Sequence, residues 1–553
     1  MNIWKPRLGI PNNSVKAALR WHFSPTGNAF LNPDCLDIEE HLRQGRARVV
    51  KHGLNRTVYH VRLPQFNIFW KHCRISGLRS LLREATRQPK ARMEFDAAQA
   101  LAARGIPTIE PLAWAEEGWR FAGPSHLITR ELTDAIPLQT YLVDRCMGNA
   151  SVRHRHEAAV ALGRCLGQIH EAGVEHPDLH PGNILVVVNG DGQPRFHLLD
   201  VHNVLFGPPL PRDESLANLV LINHWFFLRV ERSDRLRFWK SYCETRRWAP
   251  AFFIPDAREI EKRTLPSIRQ LWEGRDERCL RATRDYRPVR SDTASGFVVS
   301  QMDEKTLERF LADPDFPFRD PECKRLKDSR TSTVAEIVVP TPDGPRTMIY
   351  KRFRLKKHFA SLANRFRQSP ALRSWQMGHA LRDRDLPTPL PWLVLHRRGL
   401  TGPREGYLLC EKVESARELG NLDVAGNWGL IAELGRLLRR FHDAGLCHRD
   451  LKAANILCTL DSAEGDRFHF IDLVGVGRSR TMSDADCARD LSRLNVSFLQ
   501  NPHVTRTDRL HFLRAYLRWS LRGRGDWKIW WKRIGGATLK KIDRNRRTGR
   551  PLA

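Results

Sequence analysis

A chain of 553 residues with 41% apolar and 28% charged side chains is globular in composition, with room for about two to four domains. Its formal charge of +29 calls for an anionic partner, yet no zinc-finger spacing, basic zipper or aromatic RNP motif accompanies it, so nucleic acid is not expected. Eleven cysteines without a C-x-x-C pair argue against a zinc ribbon or a disulfide scaffold; with no signal-type h-region and no run of about eighteen apolar residues, the expectation is a soluble, cytoplasmic protein.

In chain order, residues 1–40 are rich in Pro and Asn and read as an irregular segment. Strand signals follow at Arg56–Leu63, after His52-Gly53, and at Asn67–Lys71. Two apolar strands with a Lys ending the second suit a phosphate-binding lysine, Lys71, although only Gly53 is available in place of a glycine-rich loop. After a basic stretch comes a helix over Ala91–Leu101, ending before Gly105-Ile-Pro-Thr108; its Glu94 is the natural ion-pair partner for Lys71. Read singly, the two are a snorkelling lysine and one more helix carboxylate.

The next helix repeats Leu162, Cys165, Leu166 and Ile169 at helical spacing and runs into His176-Pro-Asp-Leu-His-Pro-Gly-Asn-Ile-Leu185. Apolar runs on either side of Asn189-Gly-Asp-Gly192 predict a hairpin that returns the chain to Asp200, beside Asn183. An amide oxygen and a carboxylate are hard donors suited to Mg2+ held mostly by phosphates. Asp178, five residues before Asn183, is free to take a proton from an attacking hydroxyl. That is the arrangement phosphoryl transfer from ATP requires. A polar capping loop, or a metal cluster using His176 and His180, is the competing reading, but ligand histidines four apart belong on a helix rather than astride a loop proline.

What discriminates is repetition. His448-Arg-Asp-Leu-Lys-Ala-Ala-Asn-Ile-Leu457 and Phe468-His-Phe-Ile-Asp472 restate the loop and hairpin with unchanged spacing from Asp450 to Asn455 to Asp472. The second copy is expected from near Ser291, after an Arg-rich connector at Arg281–Arg290. Lys327–Ala335 stands in for the glycine loop, Lys351 is the strand lysine, and a helix covers Ala371–Leu381. Counting from Lys351 as Glu94 lies from Lys71 gives Ser374, so this copy has no evident glutamate partner. Each copy closes with aromatic-rich helical segments, Asn218–Tyr242 and Leu494–Trp531. Trp527, Trp530 and Trp531 share a helical face, which fits either an interfacial helix or a packed core. After Gly535 a basic, disordered tail is expected. The expected division is 1–40, a first domain over 41–285, a second over 286–534, and the tail 535–553.

These residues together resemble, twice over, the lipopolysaccharide core kinases (the Kdo/heptose kinase family). The carriers are the lysine strand, the basic insertion, the helix ending in Ile-Pro-Thr or Leu-Pro-Thr-Pro, the H-x-D-L-x-x-x-N-I-L loop, and the Leu-Asp or Ile-Asp after it. The resemblance implies an α+β fold of two tandem protein-kinase-like bilobal domains, each with a β-rich N-lobe and a helical C-lobe. It implies Asp178 and Asp450 as catalytic, and Lys71 (with Glu94), Lys351 and Lys452 toward the nucleotide. Asn183, Asp200, Asn455 and Asp472 become the Mg2+ ligands. Implied partners are ATP and a lipopolysaccharide-core or other anionic glycolipid acceptor, with peripheral contact to anionic membrane. Neither copy has a strict D-F-G, Pro177 replaces the Arg of His448-Arg449-Asp450, and His180 stands where Lys452 does. A protein Ser/Thr kinase, or a non-catalytic nucleotide-binding scaffold at the membrane, are the alternative readings.

Overall fold

In the computed structural model, residues 19–53, 56–74, 88–117, 123–146, 152–188, 190, 192–321, 323–341, 343–354, 368–398, 405–460, 467–479, 482–518 and 526–549 are described. The basic stretch after Lys71 lies largely outside them. The chain divides into two compact units, Met1–Ile268 and Arg269–Ala553. Each carries an antiparallel sheet with one helix, followed by a mostly helical part, which is the bilobal α+β arrangement expected.

In the first unit the sheet holds β1 (Leu19–Phe23), β2 (Ala47–His52), β3 (Arg56–Arg62), β4 (Asn67–Cys73), β5 (Pro111–Glu117) and β6 (Ser125–Arg130), in the order β1-β5-β6-β4-β3-β2. Ile68 and Trp70 alternate inward from β4 and pack with Val61, Leu112 and Ile128, while Lys71 takes the opposite face. That other face is covered by α1 (Lys90–Ala103), which buries Phe95, Ala98 and Leu101 at helical spacing. The helical part is built on α2 (Val152–Glu171), whose Leu162, Leu166 and Ile169 are buried. Gly163 and Gly167 let α2 approach α4 (Arg232–Thr245), with α3 (Arg212–Phe226) between them in the chain; a Cβ on Gly163 would meet the Phe238 carbonyl at 2.3 Å. The predicted hairpin forms as β7 (Ile184–Val188) and β8 (Pro194–Leu198), pairing Ile184 with Leu198.

The second unit repeats this plan. Its sheet runs β9 (Tyr286–Arg290), β10 (Ala294–Val299), β14 (Pro391–Arg397), β15 (Glu405–Glu411), β13 (Gly344–Arg354), β12 (Ser332–Thr341), β11 (Lys324–Asp328) in spatial order. Helix α5 (Pro370–Asp383) lies on it. Then come α6 (Trp428–Asp443), the hairpin β16 (Ile456–Cys458) and β17 (Phe468–Phe470), α7 (Asp484–Ser497), α8 (Arg506–Arg518) and α9 (Trp527–Arg547).

Three expectations are corrected. The N-terminal stretch is not irregular where it is described: β1 pairs with β5 from Leu19–Glu117 to Phe23–Ala113, and Ser24 caps the short helix Pro25–Phe30. Leu19, Trp21 and Phe23 alternate with exposed partners, the period-2 pattern of an edge strand. Nor is Arg281–Arg290 wholly a connector, because Tyr286–Arg290 is an edge strand paired with β10, its tyrosine hydroxyl 3.1 Å from His379 Nδ1. Finally, the segment after Gly535 is helical through Arg547, within the described residues. Helix α9 runs through the Gly535-Gly536 pair and buries Trp530, Thr538 and Asn545 on one face. Among the described residues, no helix is long and apolar enough to cross a membrane.

Candidate active sites, one per unit

In both units the loop before the hairpin is held by its own buried histidine. His176 accepts from the Asp178 amide at 3.2 Å and contacts the Leu199 carbonyl at 3.0 Å; His448 accepts from the Asp450 amide at 3.3 Å. Burial pushes both imidazoles below their ordinary range, which keeps them neutral as internal struts. With these rings committed to the backbone, the His176/His180 metal reading has no support in the geometry.

The fastening leaves the aspartates outward. Asp178 is 74% exposed and Asp450 58%, open to an incoming hydroxyl. Asn183, on a buried turn, donates from Nδ2 to the Asp178 carbonyl at 2.9 Å and to its carboxylate at 3.3 Å. Asn455 repeats this on Asp450 at 2.8 and 3.3 Å. An amide nitrogen fixed by two acceptors leaves Oδ1 as the atom for a cation.

Asp200 and Asp472 both adopt the left-handed backbone conformation at φ 56°, in matching positions after their hairpins. Aspartate tolerates this better than most residues, and such strain collects at functional sites. An amide oxygen and a carboxylate are hard donors of the kind Mg2+ takes with phosphate and water, so the chemistry of these residues fits that ion in each unit.

The lysines differ. Lys71 pairs with Glu94 in a nearly buried contact between β4 and α1, as expected. Lys351 instead reaches Asp472, with Nζ 2.9 Å from Oδ1. Ser374, at the position of Glu94, turns its hydroxyl back to the Pro370 carbonyl at 2.9 Å. Burial would raise the Asp472 carboxyl, but the Lys351 ammonium outweighs it and holds the group below the usual range. Lys452 stands 3.7 Å from the Asp450 carboxylate, and His180 takes the same place 3.6 Å from Asp178.

Sequence reasoning missed four supporting residues. Arg56 forks onto Asp200, with Nη1–Oδ1 at 2.8 Å and Nη2–Oδ2 at 3.4 Å, and His202 lies 3.6 Å from the same carboxylate. Contact with His202 and, against burial, the Arg56 guanidinium hold Asp200 far below the carboxylate range. Glu94, Asp200 and His202 gather within 4.8 Å of one another, so two carboxylates share this space with the cations Lys71 and Arg56. Behind the loops, Asn218 donates to the His176 carbonyl at 2.9 Å, and Asp490 accepts the His448 amide at 2.6 Å. Nothing in the spacing marked these last two, each of which lies midway along its helix. In place of a glycine loop, the first unit closes Gly53 onto the Arg56 carbonyl, and the second closes a turn on Ser329.

The family model described as "Lipopolysaccharide kinase (Kdo/WaaP) family" matches residues 43–205 and 332–516, one match in each unit. A 3-deoxy-D-manno-octulosonic acid kinase of Xanthomonas campestris pv. campestris (strain B100) is 39% identical over 151 residues, covering 26% of this chain and 56% of that protein. Another such kinase, from Actinobacillus succinogenes, is 34% identical over 117 residues, covering 21% and 48%. The lipopolysaccharide core heptose(I) kinase WaaP of Pseudomonas aeruginosa is 28% identical over 160 residues, covering 28% and 59%. The chain thus spans about half the length of these relatives. The solved structure "WaaP in complex with acyl carrier protein" is 21% identical with a TM-score of 0.35, over 46% of this chain and 99% of that one. With both units matched over more than half of the sequence, the chain belongs to the lipopolysaccharide kinase (Kdo/WaaP) family.

Proposed function

We propose that the protein is an ATP- and Mg2+-dependent phosphotransferase that phosphorylates a hydroxyl of a lipopolysaccharide-core sugar. The observation that carries this reading is the exposed aspartate backed by a buried asparagine, built twice with the same contacts. Asp178 and Asp450 accept the acceptor hydroxyl's proton as its oxygen bonds to the terminal phosphorus and the bond to ADP breaks. Asn183 and Asn455 fix those carboxylates and, with Asp200 and Asp472, supply the metal ligands. Bound Mg2+ would offset charge on the transferring phosphate. Lys71, steadied by Glu94, serves the nucleotide phosphates. The kinase names of the relatives and the +29 charge support an anionic, membrane-borne acceptor.

A second reading applies to the second unit alone. There Lys351 sits on the metal-ligand aspartate rather than on a helix glutamate, which favours a slower or regulatory domain. The deciding assay is ATP turnover on purified lipopolysaccharide cores and on generic protein substrates. The Asp178→Ala/Asp450→Ala protein should lose transfer, by about a hundredfold or more, yet still bind Mg–ATP. Undiminished transfer in that protein, or transfer to proteins alone, would overturn the reading.

A further inference from the structure

Resting on the phosphotransferase reading above, we propose that Arg56 is a nucleotide-phosphate ligand of the first unit. It is held on Asp200 while the metal site is free and exchanges that carboxylate for the terminal phosphate when a metal–nucleotide enters.

The argument begins with position. Arg56 opens β3 directly after the Gly53 turn, and β3 pairs with β4 so that Val58 faces Lys71 and Arg56 faces Cys73. Its backbone is therefore fixed two residues along the ladder from the phosphate lysine. From there the side chain crosses to Asp200 and meets both carboxylate oxygens. The pair is about one-quarter exposed on each side, so it opens onto the site rather than lying in the core.

Chemistry supplies the exchange. A divalent cation on Asp200 competes with the guanidinium fork for the same carboxylate charge and lone pairs. A planar fork that fits a carboxylate fits a phosphate equally well. Arg56 is anchored in the sheet, so a phosphate arriving on the metal is the nearest anion left to it, Glu94 being taken by Lys71. The second unit lacks the device: Ser332 holds the matching register, opposite Phe353, and Lys351 itself takes Asp472.

The test uses the full chain in an Asp472→Asn background, which removes the second unit's metal carboxylate. Arg56→Gln and Arg56→Lys are compared with that parent for Mn2+ affinity without nucleotide (electron paramagnetic resonance), Mg–ATP affinity (calorimetry) and melting temperature. Arg56→Gln should tighten Mn2+ alone by about fivefold or more, because a competing cation is gone. It should weaken Mg–ATP by about tenfold or more, because a charged hydrogen bond to phosphate is lost. Arg56→Lys, keeping charge without the fork, should fall between. Affinities that move in the same direction and follow melting temperature would make Arg56 a structural clamp and overturn the proposal, as would no change in either. A parent that binds Mg–ATP while Arg56→Gln behaves like it overturns only this inference, as does a parent that fails to bind when the unaltered chain binds; an unaltered chain that fails to bind Mg–ATP overturns the phosphotransferase reading with it.

Discussion

Lys71 and Lys351 occupy the same place on the ladder, opposite Val58 and Val334, yet they hold different carboxylates. Lys71 is tethered to a helix glutamate and leaves Asp200 to Arg56. Lys351 has no glutamate and falls onto the carboxylate that a metal would need. On the proposed function, a metal on Asp472 would compete with that contact in the second unit, while the Lys71–Glu94 pair of the first unit leaves Asp200 out. Misplacing a group by about 1 Å can cost on the order of a hundredfold in rate. Lys71→Met should therefore lower ATP turnover on the best acceptor by about a hundredfold, with Lys351→Met costing no more than a few-fold. The reverse ranking would assign catalysis to the second unit. At this scale the sequence was informative where residues lie near one another in the chain: the contact of Asn183 with Asp178 follows from their spacing, and the place of Ser374 from counting. It was silent on Arg56, because an arginine on a strand carries no sign of a carboxylate 144 residues away.

At the scale of elements, legibility followed hydrophobic period. Strands β4 and β13 and helices α1 and α2 were readable from their apolar periodicity, whereas α5, buried all round from Ser374 to Leu381, was readable from its place in the repeat. Helix α9 was misread. A glycine pair followed by six Lys and Arg residues after Gly536 looks like a tail, since charge density and backbone entropy both disfavour a helix there. Packing decides otherwise. Trp530 is 5% exposed, edge-on to the Tyr516 ring at 5.6 Å, while Asp526 caps the helix onto the Lys528 amide at 2.8 Å. Arg533 reaches Asp484 at 2.7 Å, tying α9 to the start of α7. The tryptophan that suited an interfacial helix is a core residue. Trp530→Ala should destabilise the second unit by about 3–5 kcal/mol, the usual cost of emptying a large aromatic site. Denaturant unfolding would measure this, and a loss below about 1 kcal/mol would restore the view of α9 as a loosely attached segment.

Across the whole molecule the duplication has diverged in charge behind the loops that carry Asp178 and Asp450. His170 and His442 sit at matching ends of α2 and α6, and each contacts a tyrosine hydroxyl, Tyr242 at 2.7 Å and Tyr516 at 2.8 Å. The other ring nitrogen meets Asn218 at 3.1 Å in the first unit, but lies 3.6 Å from the Asp490 carboxylate in the second. Burial pushes His170 down to about 4. Burial opposes charging of His442 too, yet Cys487 and the Asp490 carboxylate outweigh it and push the ring up to about 9. The consequences have opposite signs. On acidification the unfolded first unit takes up its proton before the folded one, so His170 withdraws stability as pH falls from about 6.5 toward 4. The second unit has its His442 contribution in full below about 6.5 and loses it as pH rises toward 9. Histidine titration by NMR should find one ring neutral down to about pH 4 and another charged to about pH 9. Asp490→Asn keeps an acceptor for the His448 amide but removes the charge, and should lower His442 from its raised value, with the Cys487 contribution left in place. A His442 that already titrates below 6.5 in the unaltered protein, or that does not respond to Asp490→Asn, would mean that the two copies share one electrostatic design after all.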